Sequence, residues 1–100
     1  NYKAYICYAI ALSEFGEYDM AVAMYEKAQS VKPAEIEAQV LRANLYTNFN
    51  HLDKAMELYK EAIRLKPNSA LTYMLLGNAH YLKGEVHQKT MNIDLFILRY

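Results

Sequence analysis

The stretch Asp53-Lys54-Ala55-Met56-Glu57-Leu58-Tyr59-Lys60-Glu61-Ala62-Ile63-Arg64-Leu65-Lys66-Pro67 decides how the rest of the chain is read. Ala55, Tyr59, Ala62 and Ile63 fall on one face of a helix. Asp53 is of the type that caps a helix start, and Pro67 forbids continuation. The same layout stands one period earlier. Sliding Tyr59 onto Tyr25 makes nine positions coincide: Ala4/Ala38, Ala9/Ala43, Phe15/Phe49, Asp19/Asp53, Ala21/Ala55, Tyr25/Tyr59, Ala28/Ala62, Lys32/Lys66 and Pro33/Pro67. A fixed period of about 34 residues with helix–turn–helix content is the mark of a stacked-repeat protein. Residues Ile36–Ser69 hold one complete unit, preceded by another and followed by the start of a third.

Working outward, Tyr2–Phe15 is apolar almost all round, as a helix buried on two sides would be. Gly16-Glu17 ends it, since glycine tolerates the left-handed conformation of a helix stop. Asp19 is expected to cap a second helix to about Val31, closed by Lys32-Pro33 because the residue before proline avoids the helical region. A third helix is expected over Glu35–Phe49, with Asn50 in place of the glycine, and a fourth over Asp53–Leu65. Asn68 or Ser69 can cap a fifth over Ala70–Leu82, turned by Lys83-Gly84-Glu85. Beyond Glu85 the pattern weakens: Lys89, Ile93 and Phe96 replace the alanine, tyrosine and second alanine of earlier copies. Ile93, Phe96, Ile97 and Tyr100 still follow helical spacing, which predicts a sixth helix, with a strand over Met91–Leu95 as the alternative.

Composition narrows the function. A chain of 100 residues, 54% apolar and with two prolines, suits one globular helical domain. Its formal charge of zero leaves no basic excess to neutralise phosphates, so neither nucleic acid nor an anionic membrane is an expected partner. No apolar run reaches the roughly 18 residues that span a bilayer. Cys7 stands alone, which precludes an intramolecular disulfide. The chain opens on Asn1 rather than Met and is expected to be a piece of a longer protein. The expected compartment is the cytoplasm, with the nucleus left open.

The repeat residues resemble the tetratricopeptide repeat (TPR) family, whose unit runs W-x2-L-G-x2-Y, then A-x3-F, then P. The first copy has Tyr5-x2-Tyr8-Ala9-x2-Leu12, Ala21-x3-Tyr25, Ala28 and Pro33. The second has Gln39-x2-Arg42-Ala43-x2-Tyr46, Ala55-x3-Tyr59, Ala62 and Pro67. The third has Tyr73-x2-Leu76-Gly77-x2-His80 and then departs. Gln39 and Arg42 stand where the family has an aromatic residue and a leucine. The resemblance implies an all-α fold: about six antiparallel helices stacked as a right-handed α-solenoid over 1–100, in repeats of about 2–35, 36–69 and 70–100. One pair of helices cannot bury its apolar face alone, so stacking is obligatory. Ala9, Ala43 and Gly77 would let paired helices approach, and Tyr25 and Tyr59 would fill the space between pairs.

Function follows from the same resemblance. First helices are expected to line a concave groove that grips a peptide or helix of a partner protein. Its residues, by resemblance, are Lys3, Ile6, Ile10 and Ser13, then Glu37, Val40, Asn44 and Thr47, then Leu71, Met74, Asn78 and Tyr81. Asn44 and Asn78 suit the backbone of an extended peptide, and Ile6, Met74 and Tyr81 would be apolar anchors. Ile6, Ile10, Leu41, Leu71 and Leu75 occupy the places where clamps for acidic chaperone tails carry Lys, Asn and Arg. No carboxylate clamp is expected, because apolar side chains do not offset carboxylate desolvation. The alternative reading is a substrate-presenting segment of a larger enzyme, such as a glycosyltransferase, whose catalytic domain lies elsewhere.

No constellation here carries chemistry of its own. Cys7 has no His or Asn near it in the repeat geometry. His51, His80 and His87 lack metal-ligand spacing, and Gly16 and Gly84 lack the G-K-[ST] of a phosphate loop. The ten tyrosines mostly occupy packing positions rather than a basic groove. Glu57/Lys60 and Glu61/Arg64 are expected as surface i, i+3 pairs. Neither catalysis, a cofactor nor a metal is expected. Apolar residues over 86–100 predict self-association or pairing with further chain.

Overall fold

The computed structural model describes residues 1–84, which form five α-helices and no strand. They are α1 (Tyr2–Glu14), α2 (Tyr18–Val31), α3 (Glu37–Asn48), α4 (Leu52–Leu65) and α5 (Ala70–Lys83). Each packs against the next in antiparallel hairpins, and α3 also meets α5 directly. This is the all-α stack of helical hairpins that the period predicts, in the TPR-type form that the resemblance implies. The sixth helix, its strand alternative and the apolar surface over 86–100 fall outside the described residues.

The turns explain why the copies superimpose. Gly16, Asn50 and Gly84 all have positive φ, at 82°, 66° and 94°. Glu17 N–H donates to the Leu12 carbonyl and His51 N–H to that of Tyr46, both at 2.8 Å. Gly16 N–H reaches Ser13 and Asn50 N–H reaches Thr47 in the same way. Each is a Schellman closure, and asparagine is the residue other than glycine best suited to its left-handed position.

Those tight closures overturn the expected caps. Asp19 and Asp53 do not cap α2 and α4; the helices start one residue earlier, after Glu17 and His51, with no side-chain cap. The aspartates lie in the first turn, where a carboxylate still opposes the positive end of the helix dipole. Asp53 also pairs with Lys83 of α5. Likewise α3 begins at Glu37 rather than Glu35, because Glu35 N–H is committed to the Lys32 carbonyl across Pro33-Ala34. True side-chain caps are Asn1, accepting from Ala4 N–H, and Ser69, accepting from Thr72 N–H.

The core is a column of methyl groups and phenol rings. Ala9, Ala21, Ala28, Ala38, Ala43, Ala55 and Ala62 have no exposed surface. Tyr25 and Tyr59 are buried between successive hairpins, Tyr25 against Ala9, Ala21 and Leu45, Tyr59 against Val40, Ala43 and Ala79. Gly77, the third member of the Ala9/Ala43 series, is exposed, and a Cβ there would meet nothing within 4 Å.

Where the second copy departs from the pattern, a polar bridge replaces apolar packing. Gln39 of α3 is 1% exposed. Its amide nitrogen donates to the Leu58 carbonyl of α4 at 2.9 Å, and its oxygen accepts from Gln29 of α2 at 2.8 Å. Arg42 donates to the Gln29 oxygen and pairs with Glu26 of α2 at 3.0 Å. Three helices are thereby tied through one side chain, which accommodates both departures at once.

Candidate functional site: the first-helix face

The twelve positions expected to line the groove sit on α1, α3 and α5, but the fold exposes them unequally. Ile6, Val40 and Thr47 are buried. Ile6 packs with Ala28 and Ala38, and Val40 with Ala43 and Tyr59. These side chains form the floor of the surface rather than contacts standing on it. Ser13 and Asn44 are half-buried, whereas Lys3, Glu37 and Asn78 are exposed. So are Ile10 at 38%, Leu71 at 56%, Met74 at 66% and Tyr81 at 52%.

The apolar exposure is therefore concentrated on α5, with Ile10 of α1 the one exposed apolar side chain among the other eight positions. Ser13 and Thr47, one period apart, both turn their hydroxyls back onto their own helix. Ser13 donates to the Ile10 carbonyl at 2.7 Å and Thr47 to that of Ala43 at 3.0 Å. Their donors are spent. Asn44 and Asn78 differ, since neither amide has a hydrogen-bond partner among the described residues.

Between the N-terminal halves of α3 and α5 lies a cavity of about 280 Å³. Its walls include Ile36, Val40, Leu41 and Leu71, with Glu37 and Lys66 at the rim. Three expected groove positions, Glu37, Val40 and Leu71, thus meet around one depression that links two repeats. Glu37 and Lys66 form no ion pair among the described residues, so the rim offers one charge of each sign. Sequence reasoning missed this cavity, because Ile36 and Leu41 belong to turn and packing positions that only the inter-repeat step brings beside Leu71.

The opposite side of α3 carries a second, smaller depression of about 150 Å³, edged by Arg42, Tyr46, Lys54 and Glu57. Lys54 lies 5.5 Å from the centre of the Tyr46 ring, a cation–π distance. Nearby, Tyr18 of α2 meets Phe49 at 4.1 Å between ring centres, with His51 stacked beyond it at 6.2 Å. Burial holds the Tyr18 phenol above its usual range. Glu61 and Arg64 pair as expected, whereas the expected Glu57–Lys60 pair does not form.

Among the described residues no three His, Cys, Asp or Glu side chains converge on a point that could hold a metal, and no helix is long and apolar enough to cross a membrane. What the face offers is surface: aliphatic and aromatic groups interleaved with amides that are unpaired among the described residues, on a stack of helical hairpins. That is the make-up of a helical-repeat interaction module. The chain belongs to the tetratricopeptide repeat family: residues 2–35 match its model described as "Tetratricopeptide repeat", and residues 43–84 match a further one described as "TPR repeat". It is also similar to human Superkiller complex protein 3, with 34% identity over 53 residues. That match takes in 53% of this chain and 3% of the relative, so the chain spans a small part of that protein's length. TPR repeats generally mediate protein–protein interaction.

Proposed function

We infer that this chain is a protein-binding scaffold that takes an extended peptide or a helix of a partner along the face of α1, α3 and α5. The observation that carries this reading is the combination of exposed Leu71, Met74 and Tyr81 with the amides of Asn44 and Asn78, which have no hydrogen-bond partner among the described residues. Apolar side chains supply affinity by area, and amides one repeat apart satisfy the backbone of a bound segment. Met74 has the freest rotation of the set and adapts to varied partners. The similarity to a protein named as a component of a complex agrees with a scaffold role.

The test pans a phage-displayed library of random linear peptides on the protein. Binding is then compared between the variant Asn44→Ala/Asn78→Ala/Met74→Ala and the outer-face control Glu57→Ala/Lys60→Ala. All these residues lie outside the fully buried core, so both variants should keep their helicity. Truncating a true anchor should cost about 2 kcal/mol of binding or more. Selected peptides should lose binding to the first variant and keep it with the second. The reverse pattern would place the binding face on the second helices.

A further inference from the structure

The period supplies a template for reading a surface that the groove does not use. In the second copy, α3 presents Ala38, Leu41, Leu45 and Phe49 to the preceding hairpin. Ala38 is buried with Ile6 and Ala28, Leu45 is 5% exposed against Ala9, Ala21 and Tyr25, and Leu41 packs against both groups. Phe49 closes the row on the Tyr18 ring at 4.1 Å. One period earlier, the same positions on α1 are Ala4, Cys7, Ala11 and Phe15. All four are exposed, and Phe15 is the most open large apolar side chain described, at 85%. Tyr8, the counterpart of Arg42, stands beside them at 51%.

These residues follow i, i+4, i+7 and i+11, so Ala4, Tyr8, Ala11 and Phe15 share one face of α1, opposite Ile6 and Ala9 in the core. A polar capping face is what a repeat stack needs where it ends. The outer face of α1 is the contrary: Ala4, Cys7 and Ala11 around the exposed Tyr8 ring, and a second aromatic ring, Phe15, at the turn.

We propose that the outer face of α1 is a repeat-to-repeat interface, and that its occupant is the second helix of a further TPR-type hairpin of the same polypeptide, stacked on the side of α1 away from α2. The α2–α3 contact states what that helix must carry. It needs an aromatic or aliphatic residue in its first turn to cover Phe15, in the role of Tyr18. It needs small residues about one and three turns on, in the roles of Ala21 and Ala28. At the level of Tyr8 it needs no carboxylate, because the Glu26–Arg42 ion pair has no cation to repeat with here. Such a helix is amphipathic with an alanine-rich seam, chemically unlike the extended peptide expected in the groove.

Cys7 lies within this face and reports on it without any engineered label. A thiol reacts with a maleimide only when reached as thiolate, so coverage by a packed helix slows the reaction. The experiment uses the protein made from its complete reading frame, labels it with N-ethylmaleimide, and follows the Cys7 peptide by mass spectrometry. Native protein is compared with the same protein in urea, across a range of protein concentrations. The expected result is labelling slowed by roughly tenfold or more in the native state, at every concentration. Phe15→Asp should raise the native rate toward the urea rate while circular dichroism stays helical, and Met74→Ala, on the groove side, should leave the rate unchanged. Native labelling as fast as in urea would overturn the proposal. Protection that grows with protein concentration would also overturn it, since the occupant would then be a second copy.

Discussion

Replacing Gln39 tests whether the polar bridge across α2, α3 and α4 follows the physics assigned to it. Three variants separate its components. Gln39→Ala removes two hydrogen bonds worth roughly 1 kcal/mol each net, and leaves a void at a site 1% exposed. The Gln29 amide is half-buried and can turn toward water, and the Leu58 carbonyl keeps its own helical partner. The expected loss is about 3–4 kcal/mol. Gln39→Leu keeps most of the volume and deletes the polar atoms together, so its loss should stay near 1–2 kcal/mol.

Gln39→Glu is the sharpest of the three. An ionised carboxylate at this site would face the Leu58 carbonyl where an N–H now donates, with little water to screen the repulsion. Its folded-state pKa must therefore rise above the ordinary value of about 4.3. A carboxyl raised in the folded state binds its proton more tightly there than in the unfolded chain. Stability is then lowest at neutral pH and recovers as pH falls through the raised pKa, because the protonated acid can donate to Leu58 and accept from Gln29. Urea unfolding followed by circular dichroism from neutral to mildly acidic pH reads all three variants. The wild-type midpoint over the same range serves as the baseline. A Gln39→Leu loss equal to or greater than that of Gln39→Ala would refute the account, as would a Gln39→Glu midpoint that tracks wild type at every pH.

Two further outcomes follow from the core and the turns. Burial raises the Tyr25 and Tyr59 phenols above their usual value, so both favour the protonated form on folding; their contribution is complete below about pH 10 and should be lost as pH rises beyond it, visible as a falling urea midpoint in alkaline buffer. At the first turn, Gly16→Ala puts a Cβ at φ 82° and should cost about 1–2 kcal/mol although nothing crowds the site, whereas Asn50→Gly at φ 66° should be neutral or slightly stabilising, both read from thermal midpoints.

The fold was legible because its determinants are local and repeated. Gly16, Asn50 and Gly84 announce left-handed stops, Pro33 and Pro67 end helices, and the alanine–tyrosine spacing marks the faces between them. Helix starts were harder to read. Asp19 and Asp53 have the chemistry of caps, yet the preceding Schellman closures bring the chain into the next helix before either is reached. That outcome depends on the bonds Glu17–Leu12 and His51–Tyr46, which no propensity of a single residue expresses. The Gln39 bridge left a signal in the sequence, two polar residues three apart where the pattern asks for apolar ones. Its partners Gln29 and Leu58 lie on other helices, so only packing could supply them.

For the binding face, the period determines which positions share a side of the stack, and the stacking step determines how far each stands out. Positions one period apart are not equivalent in exposure, because each first helix meets a different neighbour. Ile6 and Val40 are sealed by the next hairpin, while Met74, at the same place in its unit, is 66% exposed. The same asymmetry runs through the outer row, where Ala38 and Leu45 are covered by α2 and Ala4 and Ala11 are not. A single sequence period therefore yields floor, wall and open surface from identical registers. The difference between copies, more than the motif they share, locates the surfaces on which this chain meets another helix or peptide.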